Sequence, residues 1–349
     1  MALHAVIMAG GKGERLWPLS QPDMPKQLLA FDESGSLLKK TVERIEPIVP
    51  HERIYVVTNR EIAVKVHREL PQIPVENILV EPVGRNTAPC IGFAAAVISC
   101  KDPAGSMAVF PADHMIDDKQ QFTQAVSFGF KSLEIYPEFL ITLGCIPDRP
   151  ETGYGYIAPG EVILKDDSNS LQQVTSFHEK PQLNIAHRYI SSGYLWNSGM
   201  FVWRVDTILQ TFARHLPDTY KELMRLSRTD ARDLSAIEHF YNEVQAISID
   251  YGIMEKAVNV AVIPVAFGWS DIGSWDAAGK LLVQKGHGNS GKGKVVCEDS
   301  SNNVVWASKK NVVLLGVDDL VVVEGRDAIL VCARNRAQDV SRIAKKMQT

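Results

Sequence analysis

The sequence predicts an α/β fold: a Rossmann-like, mostly parallel mixed sheet flanked by helices, followed by a small C-terminal β domain of β-helical type. Three observations predict it. Short runs that are apolar throughout alternate with helical stretches in the first half of the chain, and strands of that kind are buried on both faces of a helix-covered parallel sheet. Segments rich in glycine and charge follow those strands, where open α/β sheets bind their ligands. Past residue 285 the alternation stops, and valine-rich pieces recur every eight or nine residues.

Taken in order, Ala5–Met8, Ile54–Thr58, Met107–Phe110 and Phe139–Leu143 read as strands. Leu37–Ile45, Glu61–Leu70, Ala88–Cys100 and Phe122–Ile135 carry the apolar spacing of helices. Between Gly144 and Trp275, helices at Val205–Leu216 and Ala231–Glu243 accompany three loops bearing glycine and tryptophan, ETGYGY, WNSGMF and GWSDIGSW. No linker separates this stretch from the first half, so residues 1–285 read as one domain. After GHGNSGKGK (286–294), valine-rich pieces at Val295, Val304, Val312, Val321 and Ile329 are divided by the turn sequences EDSSNN, SKKN, GVDD and EGRD. Residues 286–349 therefore read as a second, small domain, and the spacing alone fits a meander as well as a β-helical winding. A closing helix over Arg336–Met347 aligns Val340, Ile343, Ala344 and Met347 on one face.

Composition narrows the function classes. The net charge of −4 leaves no electrostatic footprint for nucleic acid or an anionic membrane. No apolar run approaches the roughly 20 residues needed to span a bilayer, and the short apolar start has neither a basic region nor a small-residue cleavage site. The five cysteines (Cys90, Cys100, Cys145, Cys297, Cys332) are dispersed and unpaired in sequence, which points to reduced thiols and a cytoplasmic protein.

The first strand runs directly into Ala9-Gly10-Gly11-Lys12-Gly13-Glu14-Arg15-Leu16-Trp17-Pro18. Glycines after a buried strand let the backbone approach a ligand and aim several N–H groups at an anion. This is not a P-loop, because no Gly-Lys-Ser/Thr ending is present. It is not the dinucleotide fingerprint either, because Leu16 stands where that pattern needs glycine. A turn of this kind can be glycine-rich for packing alone, and a single arginine or lysine is most often a solvated surface cation. Here Arg15 follows the glycines closely and Pro25-Lys26-Gln27 lies about ten residues on. Together they match what a triphosphate requires: a planar arginine fork, a compact lysine charge, and neutralisation of the charge that grows on departing pyrophosphate.

The pattern GGKGERLWP followed by PKQ resembles the signature of the sugar-phosphate nucleotidyltransferase family, particularly its mannose-1-phosphate guanylyltransferase branch. Further segments resemble that branch in the same order: Glu81-Pro82 with GRNTAP (84–89), PADH (111–114), PETGYGYI (150–157), HEKP (178–181), WNSGMF (196–201), DYGIMEK (250–256) and GWSDIGSW (268–275). The resemblance covers the first 280 residues or so and implies a fold of the nucleotide-diphospho-sugar transferase type, with residues 1–285 as the catalytic domain. Two positions depart from the family pattern. Glu14 stands where a small hydroxyl residue is usual, and Gln21-Pro22-Asp23-Met24 replaces a more typical Arg- and Tyr-bearing approach to the lysine. A carboxylate beside a triphosphate is electrostatically unwelcome unless it faces away.

Asp113 follows an apolar strand and Asp271 lies in a Gly/Trp loop; either alone reads equally as a helix cap or turn residue. Carboxylates so placed suit Mg²⁺, which takes one or two of them with water and phosphate oxygens. The resemblance implies that Asp113 and Asp271 hold that ion and that Arg15 and Lys26 are catalytic. It further implies that Gly10, Gly11, Gly13, Arg85, Asn86, Thr87, Ala88, Asp113 and His114 bind the nucleotide, with guanine selected around Arg85–Ala88. On the sugar side it implies Gly155, Glu179, Lys180, Asn197 and Gly199: acceptors and donors for hydroxyls, a cation for the phosphate, and glycines where backbone amides approach. Read without the family, Glu179-Lys180 is an exposed ion pair before a proline, and Trp196, Trp269 and Trp275 are packing residues.

The expected partners are therefore GTP and mannose 1-phosphate, with no nucleic acid and no membrane, and a homodimer as the commonest assembly. The expected reaction is attack of the sugar phosphate on the α-phosphorus of GTP, giving GDP-mannose and pyrophosphate. Two other readings stand beside it: a nucleotidyltransferase for another hexose or heptose 1-phosphate, and a non-catalytic subunit that senses GDP-mannose. The second would have lost Arg15, Lys26, Asp113 or Asp271, all of which are present. An added isomerase activity is disfavoured, because the region after 285 holds only His287 and no metal-binding cluster.

Overall fold

The computed structural model describes residues 2–11, 13–228 and 233–347. The first four strands are β1 (Leu3–Met8), β2 (Ile54–Asn59), β3 (Ile78–Glu81) and β4 (Ser106–Pro111). The two-residue strand β5 (Met115–Ile116) precedes β6 (Leu140–Cys145), β7 (Tyr156–Lys165), β8 (Ser170–His178), β9 (Leu195–Arg204) and β10 (Val260–Val265). A further two-residue strand, β11 (Trp269–Ser270), ends this part of the chain. Nine of these strands form one mixed sheet in the order β3-β2-β1-β4-β9-β6-β10-β8-β7. Parallel pairing joins β3 to β2, β2 to β1, β1 to β4 and β6 to β10. β9 enters antiparallel between β4 and β6, and β8 is antiparallel to both β10 and β7.

By compactness the chain forms two units, which divide it differently from the sequence boundary at 285. The first comprises Met1–Gly10, Thr41–Ala112 and Ile116–Trp269; the second comprises Gly11–Lys40, Asp113–Met115 and Ser270–Thr349. The nine-stranded sheet belongs to the first. Its core forms around the helix Thr87–Ser99, buried from Ala88 to Ile98. The run Ala94-Ala95-Ala96 keeps that helix thin enough for close approach, with Phe93, Phe212, Phe240 and Tyr241 in the same cluster. The expected first-half strands and helices all form, with ends shifted by a few residues. The helix expected from Ala231 runs over Leu234–Glu243, and residues 231–232 lie outside the described residues.

In the second unit, β12 (Val283–Gly286), β13 (Asn289–Lys292), β14 (Val295–Glu298), β15 (Val304–Trp306), β16 (Val312–Leu315), β17 (Leu320–Glu324) and β18 (Ile329–Ala333) make two sheets. Their orders are β12-β13-β15-β17-β18 and β14-β16. The pairs β13–β15, β15–β17 and β14–β16 are parallel, so successive strands alternate between two sheets instead of folding back. That is β-helical winding, not a meander. The expected valine-rich pieces are β14 to β18; β13 is an addition inside the Gly/Lys stretch. Its ladder is tied by side chains: Asn289 Oδ1 accepts from Asn303 N and Nδ2, and Asn289 Nδ2 donates to the Ser300 carbonyl. The end of the chain is a 3₁₀ turn, Arg334–Asp339, followed by the helix Val340–Met347.

The core of this second unit draws on both ends of the chain. Leu16, Trp17, Leu29 and Phe31 from the glycine-loop segment pack with Trp275, Val304, Trp306, Val321 and Ala344. Trp275 Nε1 donates to the Trp17 carbonyl at 2.9 Å, and Phe31 meets Trp306 edge-on. Among the described residues no helix is long and apolar enough to cross a membrane.

Candidate active site

Within the second unit, a cavity of about 440 Å³ is lined by Gly13, Arg15, Lys26, Asp113, His114 and Asp271, among others. Residues from three separated stretches of sequence thus share one concave surface. Gly13 makes the turn that starts it, with φ at 64°, and accepts Ser20 Oγ at 2.6 Å on its carbonyl. A Cβ placed at Gly13 would stand 2.4 Å from Lys26 Cβ. Both the left-handed backbone and the close approach therefore demand glycine. Gly13→Ala is expected to cost about tenfold or more in kcat/KM for the nucleotide, because left-handed strain of about 1–2 kcal/mol adds to displacement of Lys26. Steady-state kinetics alongside a melting curve checks this.

Lys26 opens the short 3₁₀ turn Lys26–Leu28, where Pro25 presets the entry at φ −70°. Its side chain is buried, yet it is fully occupied: Nζ lies 2.7 Å from Asp113 Oδ2 and donates to the Asp271 carbonyl. A buried ammonium is tolerated only when paired in this way. The pairing also acts on the acid. Burial alone would push the Asp113 carboxyl up, but the charge of Lys26, the nearby His114 and the hydrogen bond from Lys26 hold it below the usual carboxylate range. His114 Nε2 sits 3.8 Å from Asp113 Oδ1. Asp271 Oδ1 accepts from the Gly273 amide at 3.0 Å, and Arg15 Nη1 donates to the Gly273 carbonyl at 3.1 Å. The cavity therefore presents Arg15 and Lys26 with the carboxylates of Glu14, Asp113 and Asp271, and a chain of contacts runs from Asp113 through Lys26, Asp271 and Gly273 to Arg15. Among the described residues no group of three or more His, Cys, Asp or Glu side chains forms a complete metal cage.

Gly11 belongs to the second unit; the first unit holds the other expected residues in two groups. In one, Glu179 Oε1 accepts from Lys180 Nζ at 2.6 Å, while Glu179 Oε2 is buried without a hydrogen-bond partner among the described residues. A Cβ at Gly155 would stand 2.4 Å from that oxygen, so glycine is needed for the carboxylate to lie there. Burial pushes the Lys180 ammonium down, but the hydrogen bond and charge of Glu179 more than offset it and its pKa is raised. Asn197 is held firmly: Nδ2 donates to Asp250 Oδ1 at 2.8 Å and Oδ1 accepts from the Gly199 amide at 3.1 Å. The Gly199 N–H is thus used internally, not presented as an open donor.

Asp250 is one of two acids that the sequence reading gives no role in the site. It starts a single π turn, Asp250–Met254, a distortion that often marks functional positions. Burial and then the charge of Glu179 push its carboxyl up to about 6, against the hydrogen bond from Asn197 and the charge of Lys180. The motif DYGIMEK was the available signal, but only its contact with Asn197 gives the acid a role.

The second group surrounds Arg85–Ala88. Asn86 adopts φ 69° and caps the helix by accepting the Thr87 amide at 2.9 Å. Arg85 Nε donates to the Tyr241 carbonyl, Thr87 Oγ1 accepts from Ile249 N, and the Ala88 amide donates to the Ile247 carbonyl. Much of this segment's polarity is therefore taken up in fixing its own position. Beside it lies a buried acid to which the sequence reading gives no role, Glu81 at the end of β3. Its Oε1 accepts from the Tyr241 hydroxyl at 2.9 Å, and its Oε2 stands 2.9 Å from where a Cβ on Gly10 would be. Burial pushes this carboxyl up to about 7, in spite of the Tyr241 hydrogen bond.

Residues 4–283 match the Nucleotidyl transferase family, and residues 293–347 match the MannoseP isomerase/GMP-like beta-helix domain. The chain is 37% identical to a mannose-1-phosphate guanylyltransferase of Escherichia coli (strain K12), over 99% of this chain and 73% of that protein. It is also 37% identical to a protein of the same name from Salmonella montevideo, over 98% of this chain and 73% of that one. A crystal structure described as mannose-1-phosphate geranyltransferase from Thermus thermophilus superposes with a TM-score of 0.90 at 36% identity, covering 100% of both chains.

Proposed function

We propose, on the premise that this chain belongs to the nucleotidyl transferase family as a mannose-1-phosphate guanylyltransferase, that its second-unit cavity takes the triphosphate of GTP and its Glu179–Asn197 group takes mannose 1-phosphate. The enzyme makes GDP-mannose. A phosphate oxygen of mannose 1-phosphate attacks the α-phosphorus of GTP, a new P–O bond forms, and the bond to the β-phosphate breaks. Pyrophosphate leaves with that electron pair. The attacking phosphate has a second pKa of about 6 and is already an anion near neutral pH, so no general base is required. The protein's task is positioning and charge neutralisation.

The observation that carries this reading is buried Lys26, joined to Asp113 Oδ2 and the Asp271 carbonyl in the same cavity as Arg15 and the Gly13 turn. Arg15 and Lys26 meet the charge of the departing pyrophosphate. Two hard carboxylates on one cavity, Asp113 and Asp271, are a donor set that suits Mg²⁺, which takes few protein ligands when phosphates and water supply the rest. Asp113 and Asp271 would hold the ion, which would supply charge neutralisation for the phosphates. Gly10, Gly11, Gly13 and His114 complete the nucleotide side.

The choice of base has support in Glu81. Guanine offers two adjacent N–H donors on one edge, adenine does not, and Glu81 Oε2 is a buried acceptor beside Gly10 and the Arg85–Ala88 segment. On the sugar side, the unpartnered Glu179 Oε2 is an acceptor awaiting a hydroxyl, and Asn197 is fixed beside it by Asp250. Lys180 is placed for the sugar phosphate. We place the protein in the cytoplasm, which its five free cysteines support. We place the sequence division at residue 285, with a homodimer as the assembly that a measured solution mass would check.

The test is pyrophosphate release across a panel of triphosphates and sugar 1-phosphates. GTP with mannose 1-phosphate is expected to exceed ATP, or glucose 1-phosphate, by at least about tenfold in kcat/KM, since a single missed buried hydrogen bond costs about 1–3 kcal/mol. A stronger preference for another hexose or heptose, or no release with any pair, would replace this reading with one of its rivals.

A further inference from the structure

The last helix of the chain, Val340–Met347, reaches the phosphate cavity: Ser341 lines it together with Glu14. Glu14, the carboxylate unusual at this position, does not turn away from the cavity. Lys345 Nζ lies 3.5 Å from its Oε2. One turn before that helix, Gln338 Oε1 accepts from Arg15 Nη1 at 3.4 Å, on the same nitrogen that donates to the Gly273 carbonyl. Two side chains from the end of the sequence thus meet two consecutive residues of the glycine turn.

We infer that Lys345 is a positioning residue of the triphosphate site, acting through Glu14: it neutralises a carboxylate that would otherwise repel the nucleotide. The inference rests on reading this cavity as the triphosphate site. Its physical basis is Coulombic. A triphosphate brings close to four negative charges to a pocket that already holds Asp113, Asp271 and Glu14, against Arg15 and Lys26. Lys345 offsets one of the three acids. Its side chain is largely exposed, so solvent and salt screen the effect and hold it to a modest size. The repulsion acts alike on bound nucleotide and transition state, so it changes KM and leaves kcat nearly alone.

Four proteins test it: the wild type, Lys345→Ala, Glu14→Thr and the double variant, each assayed for pyrophosphate release at varied GTP and at low and high salt. In the wild-type background, Lys345→Ala is expected to raise KM for GTP about three- to tenfold with kcat within about twofold, the rise shrinking at high salt. In the Glu14→Thr background, the same change is expected to leave KM unaltered, because no carboxylate remains to be offset. An equal rise in both backgrounds, or none in the wild-type background, would overturn the proposal. A wild-type protein that released no pyrophosphate from GTP would remove the underlying reading of the cavity, an outcome visible before any variant is compared.

Discussion

Lys26→Ala is expected to lower kcat by about 10²–10³-fold, the loss that follows removal of one preorganised charge-stabilising group from a reacting centre. A buried lysine on the surface of a cavity is costly unless its charge is used, and this one is held between Asp113 and the Asp271 carbonyl. Its removal has a second consequence. Asp113 loses the neighbour that keeps its carboxyl below the usual range, so its pKa rises and the acid limb of the pH–rate profile moves to higher pH. Circular dichroism and a melting curve separate this from unfolding. Wild-type turnover in a folded Lys26→Ala protein would remove Lys26 from the chemistry.

Asp250→Asn is expected to act in opposite directions on stability and activity. The Asp250 carboxyl has its pKa raised from 3.8 to about 6 in the folded protein. A raised carboxyl pKa means that folding penalises the ionised form. The penalty is absent below pH 3.8, grows as pH rises to about 6, and is complete above that. An asparagine carries no such penalty and can still accept from Asn197 Nδ2. The variant should therefore be more stable at pH 8, by about 2 kcal/mol, a figure discounted from the full shift because Asp250 is only partly buried. The gain should fade between about pH 6 and pH 4, the window set by the folded and unfolded pKa values. Activity should fall about tenfold, mainly in KM for mannose 1-phosphate, because Asn197 and Lys180 lose a charged partner. Melting curves against pH and KM against kcat check the two halves. This opposition is what a site that stores unfavourable charge for function produces.

Most of the frame was legible because buried strands and amphipathic helices announce themselves through apolar spacing. β1, β2, β4 and β6 are apolar throughout most of their length, and β14 to β18 are valine-rich. Elements held together by other means were not legible. β3 is four residues ending in an acid, and β13 is Asn-Ser-Gly-Lys, buried through the Asn289–Asn303 side-chain ladder. The Ile-Leu-Val run of β3 is too short to stand out as a strand, and β13 has no apolar pattern at all. The antiparallel entry of β9 between β4 and β6 likewise depends on pairing that spacing along the chain does not encode.

The site divides in the same way. Arg15, Lys26, Asp113 and Asp271 could be grouped because their local motifs each carry charge beside glycine or a strand end, and the structure brings them to one cavity. Sequence could not distinguish polar groups that face a ligand from those that fix the backbone. Thr87, Ala88 and Gly199 all use a donor or acceptor internally. Asp250 and Glu81 stand in segments that resemble the family, but only their burial and their partners, Asn197 and Tyr241, give them a role. The partner of Glu14 lies at the far end of the chain.

The most direct measurement is a crystal structure of the protein with GTP and Mg²⁺. The account predicts β- and γ-phosphate oxygens within hydrogen-bonding distance of Arg15 and Lys26, with the ion on Asp113 and Asp271. Phosphates bound on another surface, with Lys26 still closed on Asp113, would contradict it.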